Sequence, residues 1–467
     1  MTTVRPWSEL FGAPDRLEID PEFARLREER PLQRVRLTYG EPAWLATRYE
    51  DAKLVLSDPR FSRAAATGRD EPRTRMYSGS SASLLSYDPP EHGRLRRLVA
   101  KAFTARRVER LRPRTQRIAD DLVDRMVAAG PPAELVEDFA LPLPITVICE
   151  LLGVPVADRR DFRLWSDAFL STTRFTPEQV TEYTGRLWDY MAGLIDDHRR
   201  TPRDDLIGAL IAARDEQDRL SEDELLAMAV GILVAGHETT ASQIPNFVYT
   251  LLTHPAQLAA VRADPGLIPQ AVEELMRFVP LGGGAGSARY ALEDVEVGGV
   301  KVRSGEPVVV AVHSANRDES VYTDPDTLDL NRHRQEPAHI GFGHGPHHCL
   351  GAQLARMELQ VALGTLLGRL PGLRFAGSEE DIVWKTGTAT RGPERLPLTW
   401  DEPRPRSSAT GWAAEPAAEP ATETSAGTSA ESHAGTSAQS HAGRPAGTSA
   451  GTPAESHAGT SVERSPA

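Results

Sequence analysis

One uninterrupted helical pattern of about 30 residues constrains this chain more than any other stretch. It opens on a capping box, Ser221-Glu222-Asp223-Glu224, in which the serine hydroxyl and the third-position glutamate satisfy each other's backbone donors. Apolar spacing then continues to about Leu252, and at 1.5 Å per residue such a helix is roughly 45 Å long. A helix of that length crosses a whole domain, so the rest of the chain must pack around it. Its middle is unusual for a buried helix, because Ala235-Gly236-His237-Glu238-Thr239-Thr240 places small residues, an acid and hydroxyls where aliphatics normally sit. Glycine and Thr hydroxyls loosen helical bonding, and Pro245 disturbs the ladder near Ala241. The residues alone leave two readings: a polar stripe on an amphipathic helix, or a locally loosened stretch that lets water enter.

A second stretch, Phe342-Gly343-His344-Gly345-Pro346-His347-His348-Cys349-Leu350-Gly351, is a glycine-rich bend that runs into a helix. Leu354, Met357, Val361 and Leu366 give that helix its apolar face, so Cys349 sits at its start. Backbone N–H groups and the helix dipole favour an anion there, which predicts a lowered thiol pKa. Gly343, Gly345 and Gly351 allow positive φ or close backbone approach, and Phe342 can shield the sulfur. Cys349 is then a soft, anionic metal ligand or simply a small buried hydrophobe. The other cysteine, Cys149, lies in the apolar run Ile145–Leu152 and belongs to the core.

The decamer resembles the heme-ligand loop of cytochrome P450. Phe342, Gly345, His347, Cys349 and Gly351 match the family pattern Phe-x-x-Gly-x-(His/Arg)-x-Cys-x-Gly in full. Three further stretches are similar to family signatures and fall in the family's order. In Asp88-Pro89-Pro90-Glu91-His92-Gly93-Arg94-Leu95-Arg96, the prolines suit a helix start and put His92 and Arg96 on one face, able to hold a carboxylate. Taken alone that is a basic helix face in water. Ala235–Thr240 matches the oxygen-activation signature. Glu274 and Arg277 match Glu-x-x-Arg, which alone would be an ordinary surface pair.

The resemblance covers about residues 10–400 and implies a mainly α fold with small β-sheets, a heme-thiolate domain at 1–402. It implies Cys349 as axial thiolate on heme b iron, with His92, Arg96, Arg289 and His347 at the propionates. Glu238 and Thr239 become the acid–alcohol pair that delivers protons, and Glu274 and Arg277 a structural pair, joined by Asn331-Arg332-His333. Leu84, Leu85, Ala235 and Gly283 would line the substrate pocket, within walls near 68–86, 165–185, 281–286 and 384–390.

A thiolate on heme iron favours O–O cleavage, so the implied activity is a monooxygenase that hydroxylates or epoxidises a small apolar molecule, with dioxygen as co-substrate. No flavin or iron–sulfur motif is present, so electrons from NAD(P)H would arrive through a ferredoxin and ferredoxin reductase, with Arg94, Arg97 and Lys101 toward the donor. The likeness is strongest to actinomycete enzymes that tailor macrolides, other polyketides and peptides. Two rivals stand beside it. A peroxide-using heme-thiolate enzyme would not need the proton relay, and a non-catalytic heme-binding recruitment or sensor protein would need no electrons.

Composition narrows the setting. A net charge of −13 argues against nucleic acid as a partner. Two cysteines and no secretory pattern point to the cytoplasm, and the N-terminus carries no apolar span for a membrane. A monomer is expected. Residues 403–467 fall into Ala, Gly, Ser, Thr, Pro and Glu with near-repeats such as His-Ala-Gly-Thr-Ser-Ala, which predicts a disordered tail. Elsewhere, Leu32–Thr38 and Ala43–Thr47 read as a hairpin, Tyr49–Ser57 as a helix ended by Asp58-Pro59, and Val295–Val302 and Glu306–Val312 as β-rich segments, while Phe162–Arg186 resembles the paired helices and connector of the family's lid.

Overall fold

A computed structural model describes residues 4–11, 16–77, 79–155, 159–215, 219–332 and 336–406. The expected tail, apart from its first four residues, lies outside the described residues, as does His333. The described residues belong to one unit, Met1–Gly411.

The central helix runs from Glu222 to Thr253, 32 residues, and both halves of its capping box form, Ser221 with the Glu224 N–H and Glu224 with the Ser221 N–H. It carries Pro245 without ending. Helices Pro142–Leu152, Pro177–Arg200 and Ala352–Arg369 pack along it, the last also against the 25-residue helix Ala105–Ala129. Among the described residues it is the one helix long and apolar enough to cross a membrane, but 67% of that window is buried inside the protein. It is therefore built as a core helix, consistent with Leu225, Val230, Leu233, Ile244, Phe247 and Val248 all being buried.

The β-structure flanks this helical mass. A six-stranded mixed sheet has the order Arg5–Pro6, Leu32–Arg36, Ala43–Ala46, Pro307–Val310, Arg289–Ala291, Phe61–Ser62. The predicted hairpin is its second and third strands, with Gln33 opposite Leu45 and Arg34 opposite Trp44. Strand Ala43–Ala46 is buried throughout and pairs in parallel with Pro307–Val310, Leu45 facing Val309. Continuous burial on both faces suits such a central, aliphatic strand. Helix Tyr49–Ser57 stops at Asp58, as the following proline requires. The run 295–302 is a separate hairpin, Val295–Val297 against Val300–Val302, because Gly298 and Gly299 turn at φ +55° and +74°.

The lid helices are Arg159–Phe169 and Pro177–Arg200, the second opened by its own capping box at Thr176. Their connector is tied to the C-terminal loops: the N–H groups of Thr172, Thr173 and Arg174 all donate to Gly387 O. Segment 68–86 is largely irregular and ends in the short turn Leu84–Ser86.

Candidate active site

The loop before the final long helix is shaped by two glycines. Gly343 and Gly345 adopt φ +75° and +70°, and a Cβ on Gly345 would lie 2.5 Å from Leu56 O. Gly351 has ordinary φ and caps helix Ala352–Arg369; a Cβ there would meet no protein atom within 4 Å, so its backbone borders open space. The Cys349 N–H donates to Phe342 O at 2.8 Å and closes the loop. Arg356 lies over the Phe342 ring at 4.4 Å and forms two hydrogen bonds to Glu273, fixing the aromatic in place.

Cys349 is solvent-accessible, yet burial pushes its thiol up, opposed by the Gly351 N–H, Arg96 and Arg356. Both facts hold if the sulfur lies on the floor of a recess. The expected lowering of its pKa is thus corrected: the helix begins only at Ala352, so the thiol meets one N–H rather than a full helix terminus, and desolvation wins. Cys149, by contrast, is fully buried in its helix.

Four residues expected to act together do converge. His92, 2% exposed, and His347 stack with ring centroids 4.3 Å apart. His92 Nε2 and His347 Nδ1 are buried without a hydrogen-bond partner. Burial pushes His347 down to about 3, helped by His92, Arg289 and Arg63, and lowers His92 as well. Arg289 is also buried, with one long contact, 3.5 Å to Ser287 O, and burial followed by Arg63 lowers it to about 10. Arg96 donates to His348 O at 2.7 Å and feels the Cys349 sulfur. Orphaned donors and cations at one corner of a recess are costly without an anion. They fit paired carboxylates.

On the central helix the polar motif splits into separate duties. Gly236 is not there to loosen the helix: a Cβ would lie 2.6 Å from Ile148 Cδ1, so glycine admits helix Pro142–Leu152. Ala235 is exposed between buried Val234 and buried His237, and the helix therefore borders open space on this face. The Thr239 hydroxyl donates to Ala235 O at 2.9 Å. Glu238 is buried and faces the C-terminal loop, where Lys385 Nζ reaches its Oε1 at 3.1 Å and Ser242 and Thr390 hydroxyls at 3.4 and 3.5 Å. Its Oε2 is buried with no partner. Burial works against its charge, but Lys385 and then His237 outweigh it and hold the carboxyl below its ordinary value.

The expected Glu274–Arg277 pair is far from a surface pair. Both side chains are 0% exposed and form two hydrogen bonds of 2.8 and 2.7 Å. Arg332 adds a third contact to Glu274, and Arg277 also donates to Asn316, Pro325 and Thr327 carbonyls. Asn331 only makes a local turn with Asp329. Of the pocket residues, Leu85 is 53% exposed, Leu84 half-buried and Gly283 exposed. With Ala235 they border open space but are not in mutual contact by any hydrogen bond or ring interaction. Sequence reasoning missed Lys385, which no local pattern marks, and Arg63, whose guanidinium bonds Glu71 and the Leu85 and Ala288 carbonyls. Among the described residues no cluster of three or more His, Cys, Asp or Glu could hold a bare metal ion.

A mainly helical fold with a long core helix and a recessed cysteine loop defines a heme-thiolate class of protein. The family model of cytochrome P450 matches residues 165–265 and 266–371, and the chain belongs to that family. It is 53% identical over 402 residues to mycinamicin IV hydroxylase/epoxidase of Micromonospora griseorubida, covering 86% of this chain and 100% of that one. It is likewise 53% identical to nocardicin C N-oxygenase of Nocardia uniformis subsp. tsuyamanensis, over 86% of this chain and all of that one. The crystal structure of the LnmA cytochrome P450 hydroxylase from the leinamycin pathway of Streptomyces atroolivaceus S-140 superposes with a TM-score of 0.78 at 51% identity, covering 85% of this chain and 100% of that chain. The protein is a monooxygenase whose cofactor is heme iron on a cysteine thiolate, using dioxygen and electrons that originate in NAD(P)H.

Proposed function

We propose that Cys349 is the thiolate ligand, with His92, Arg96, Arg289 and His347 as the heme-propionate cradle. The observation that carries this reading is the coincidence of an accessible cysteine in a recess with orphaned His92 Nε2, orphaned His347 Nδ1 and nearly unpaired Arg289 beside it. When bound, the heme supplies one-electron and dioxygen chemistry that no side chain can. The protein's part is to relay protons close by. Glu238 keeps Oε1 on Lys385 and leaves Oε2 unpaired, and the Thr239 hydroxyl one residue away can orient water on the same helix. An intact relay favours dioxygen over a peroxide-using enzyme and over a recruitment or sensor protein.

The substrate is a small, mainly apolar secondary metabolite, a macrolide, another polyketide or a peptide, hydroxylated or epoxidised. The names of the relatives, a macrolide hydroxylase/epoxidase and an N-oxygenase, support that class. Electrons come from a ferredoxin and its reductase, the protein works as a cytoplasmic monomer, and residues 1–402 form the catalytic domain with 403–467 as an appended low-complexity tail. The test is the absorption spectrum of protein reduced under carbon monoxide, for wild type and Cys349→His. A strongly red-shifted Soret band that disappears in the variant is the expected result. A histidine-type band in wild type removes Cys349 as the ligand.

A further inference from the structure

Among the described residues, Arg75 is a cation near the lid that nothing so far accounts for. It lies in segment 73–77, which is pinned on both sides. Arg73 and Tyr39 exchange backbone hydrogen bonds of 3.0 and 3.1 Å, and the Met76 N–H donates to Ser171 O at 3.0 Å, where the first lid helix ends. Tyr77 packs on Phe169 of that helix at 4.6 Å. The segment thus bridges from the N-terminal hairpin to the lid.

The Arg75 side chain touches open space, being only half-buried. Even so, burial lowers its pKa, with Glu71 opposing and Arg63 reinforcing the shift. Held on a segment tied to Tyr39 on one side and to Ser171 on the other, the guanidinium is kept partly out of bulk water. Among the described residues it has no hydrogen-bond or ion-pair partner. Glu71, the carboxylate that acts on it, is already engaged by Arg63 at 2.9 Å. A poorly solvated guanidinium with five unused donors calls for an anion.

Resting on the heme-thiolate reading, we propose that Arg75 anchors a carboxylate carried by the substrate. The anion could come from either of two sources, the substrate or a heme propionate. On that reading the two propionates are met by two guanidiniums, Arg96 and Arg289, so a third cation, on the segment joined to the lid, is left for the substrate. The implied substrate class is an apolar body with an acidic end, its carboxylate held at the lid and its apolar part extending along Leu84, Leu85 and Ala235.

The test uses a series of ω-(imidazol-1-yl)alkanoic acids, eight to twelve carbons long, with their methyl esters. The imidazole anchors each probe on the heme iron while the chain carries the carboxyl outward. Dissociation constants are read from the Soret shift for wild type, Arg75→Gln and Arg75→Lys holoprotein. At one chain length the wild type should bind the acid about tenfold tighter than its ester. In Arg75→Gln that preference should fall to within about threefold while ester affinity stays unchanged, and Arg75→Lys should retain part of it. No acid preference at any length in wild type, or a preference that survives Arg75→Gln, overturns the proposal. So does an Arg75→Gln protein that purifies without heme, which would assign Arg75 to a propionate. The same wild-type preparation is first checked for the red-shifted band under carbon monoxide; its absence identifies a failure of the heme-thiolate reading, and the proposal falls with it.

Discussion

Lys385 Nζ sits 3.1 Å from Glu238 Oε1 and 3.1 Å from Ser242 Oγ, with the lysine 9% and the glutamate 3% exposed. A residue of the C-terminal loop therefore holds the acid of the central helix as a carboxylate. Removing the cation reverses the balance, because burial, which favours the neutral acid, then acts with less opposition. Lys385→Met should raise the Glu238 pKa. Asp167, pushed up to about 6 by burial and by Glu238, also lies in the reach of Lys385, so the fraction of electrons that ends in product should depend on pH in both proteins, with the dependence displaced to higher pH in the variant. An unchanged profile in Lys385→Met would show that Glu238 does not depend on the lysine. A buried charge left alone costs about 3–5 kcal/mol, and proton uptake by Glu238 should reduce the stability loss to about 1–3 kcal/mol.

Thr239 presents a different case, since its hydroxyl already has a partner in Ala235 O at 2.9 Å. Back-bonding of this kind contributes little to a helix, so Thr239→Ala should fold and melt within about 1 kcal/mol of wild type. Its effect should appear in coupling. Electrons should be consumed at a similar rate while product falls about tenfold or more and hydrogen peroxide accumulates, the loss of one positioned proton donor being worth that order. Unchanged product per NAD(P)H would remove Thr239 from the relay.

How far these sites were legible depends on range along the chain. The capping box at Ser221, the helix stop at Asp58-Pro59 and the shared face of His92 and Arg96 follow from spacings of a few residues, and each is present. Glu274 and Arg277 were visible as a pair but not as a buried one, because their burial depends on Arg332 and on carbonyls of Asn316, Pro325 and Thr327 brought in by folding. Lys385 is 147 residues from Glu238. Its only mark in the sequence is rarity: Lys53, Lys101, Lys301 and Lys385 are the four lysines among 53 cationic residues. The sign of the Cys349 shift was misread because dipole and desolvation oppose each other there, and only the folded environment decides between them.

Glu273 adds a pH-dependent clamp on the cysteine loop. Burial opposes its charge, but hydrogen bonds from His339 and Arg356 prevail and hold it at about 2, against an ordinary value of 4.5. A depressed carboxyl pKa contributes stability that is complete above the unfolded value and is lost as pH falls through the folded one. The shift corresponds to about 3 kcal/mol, present above about pH 5 and fading toward pH 2. Glu273→Gln should therefore be destabilised by about that amount at pH 7, and the gap to wild type should close near pH 2 to 3. Denaturant unfolding of both proteins at pH 7, 5 and 3 reads this directly; a gap independent of pH would mean that the carboxylate charge is not what Arg356 and His339 need.

Gly236 distinguishes a packing role from a flexible one. Replacing an interior helical glycine with alanine normally stabilises a helix by about 0.5–1 kcal/mol. Here the new Cβ would lie 2.6 Å from Ile148 Cδ1 and 2.7 Å from its Cγ1, so two atoms must shift rather than one flexible tip. The central helix and helix Pro142–Leu152 would be forced apart, and overpacking of this kind costs about 1–3 kcal/mol. Gly236→Ala should thus lower stability, and the same change in an Ile148→Ala background should be neutral or favourable, since the overlapping atoms are gone. Thermal melts of the two single variants and the double variant give the coupling. Additive effects would mean that Gly236 and Ile148 do not constrain each other, and that the glycine serves the local flexibility of the helix instead.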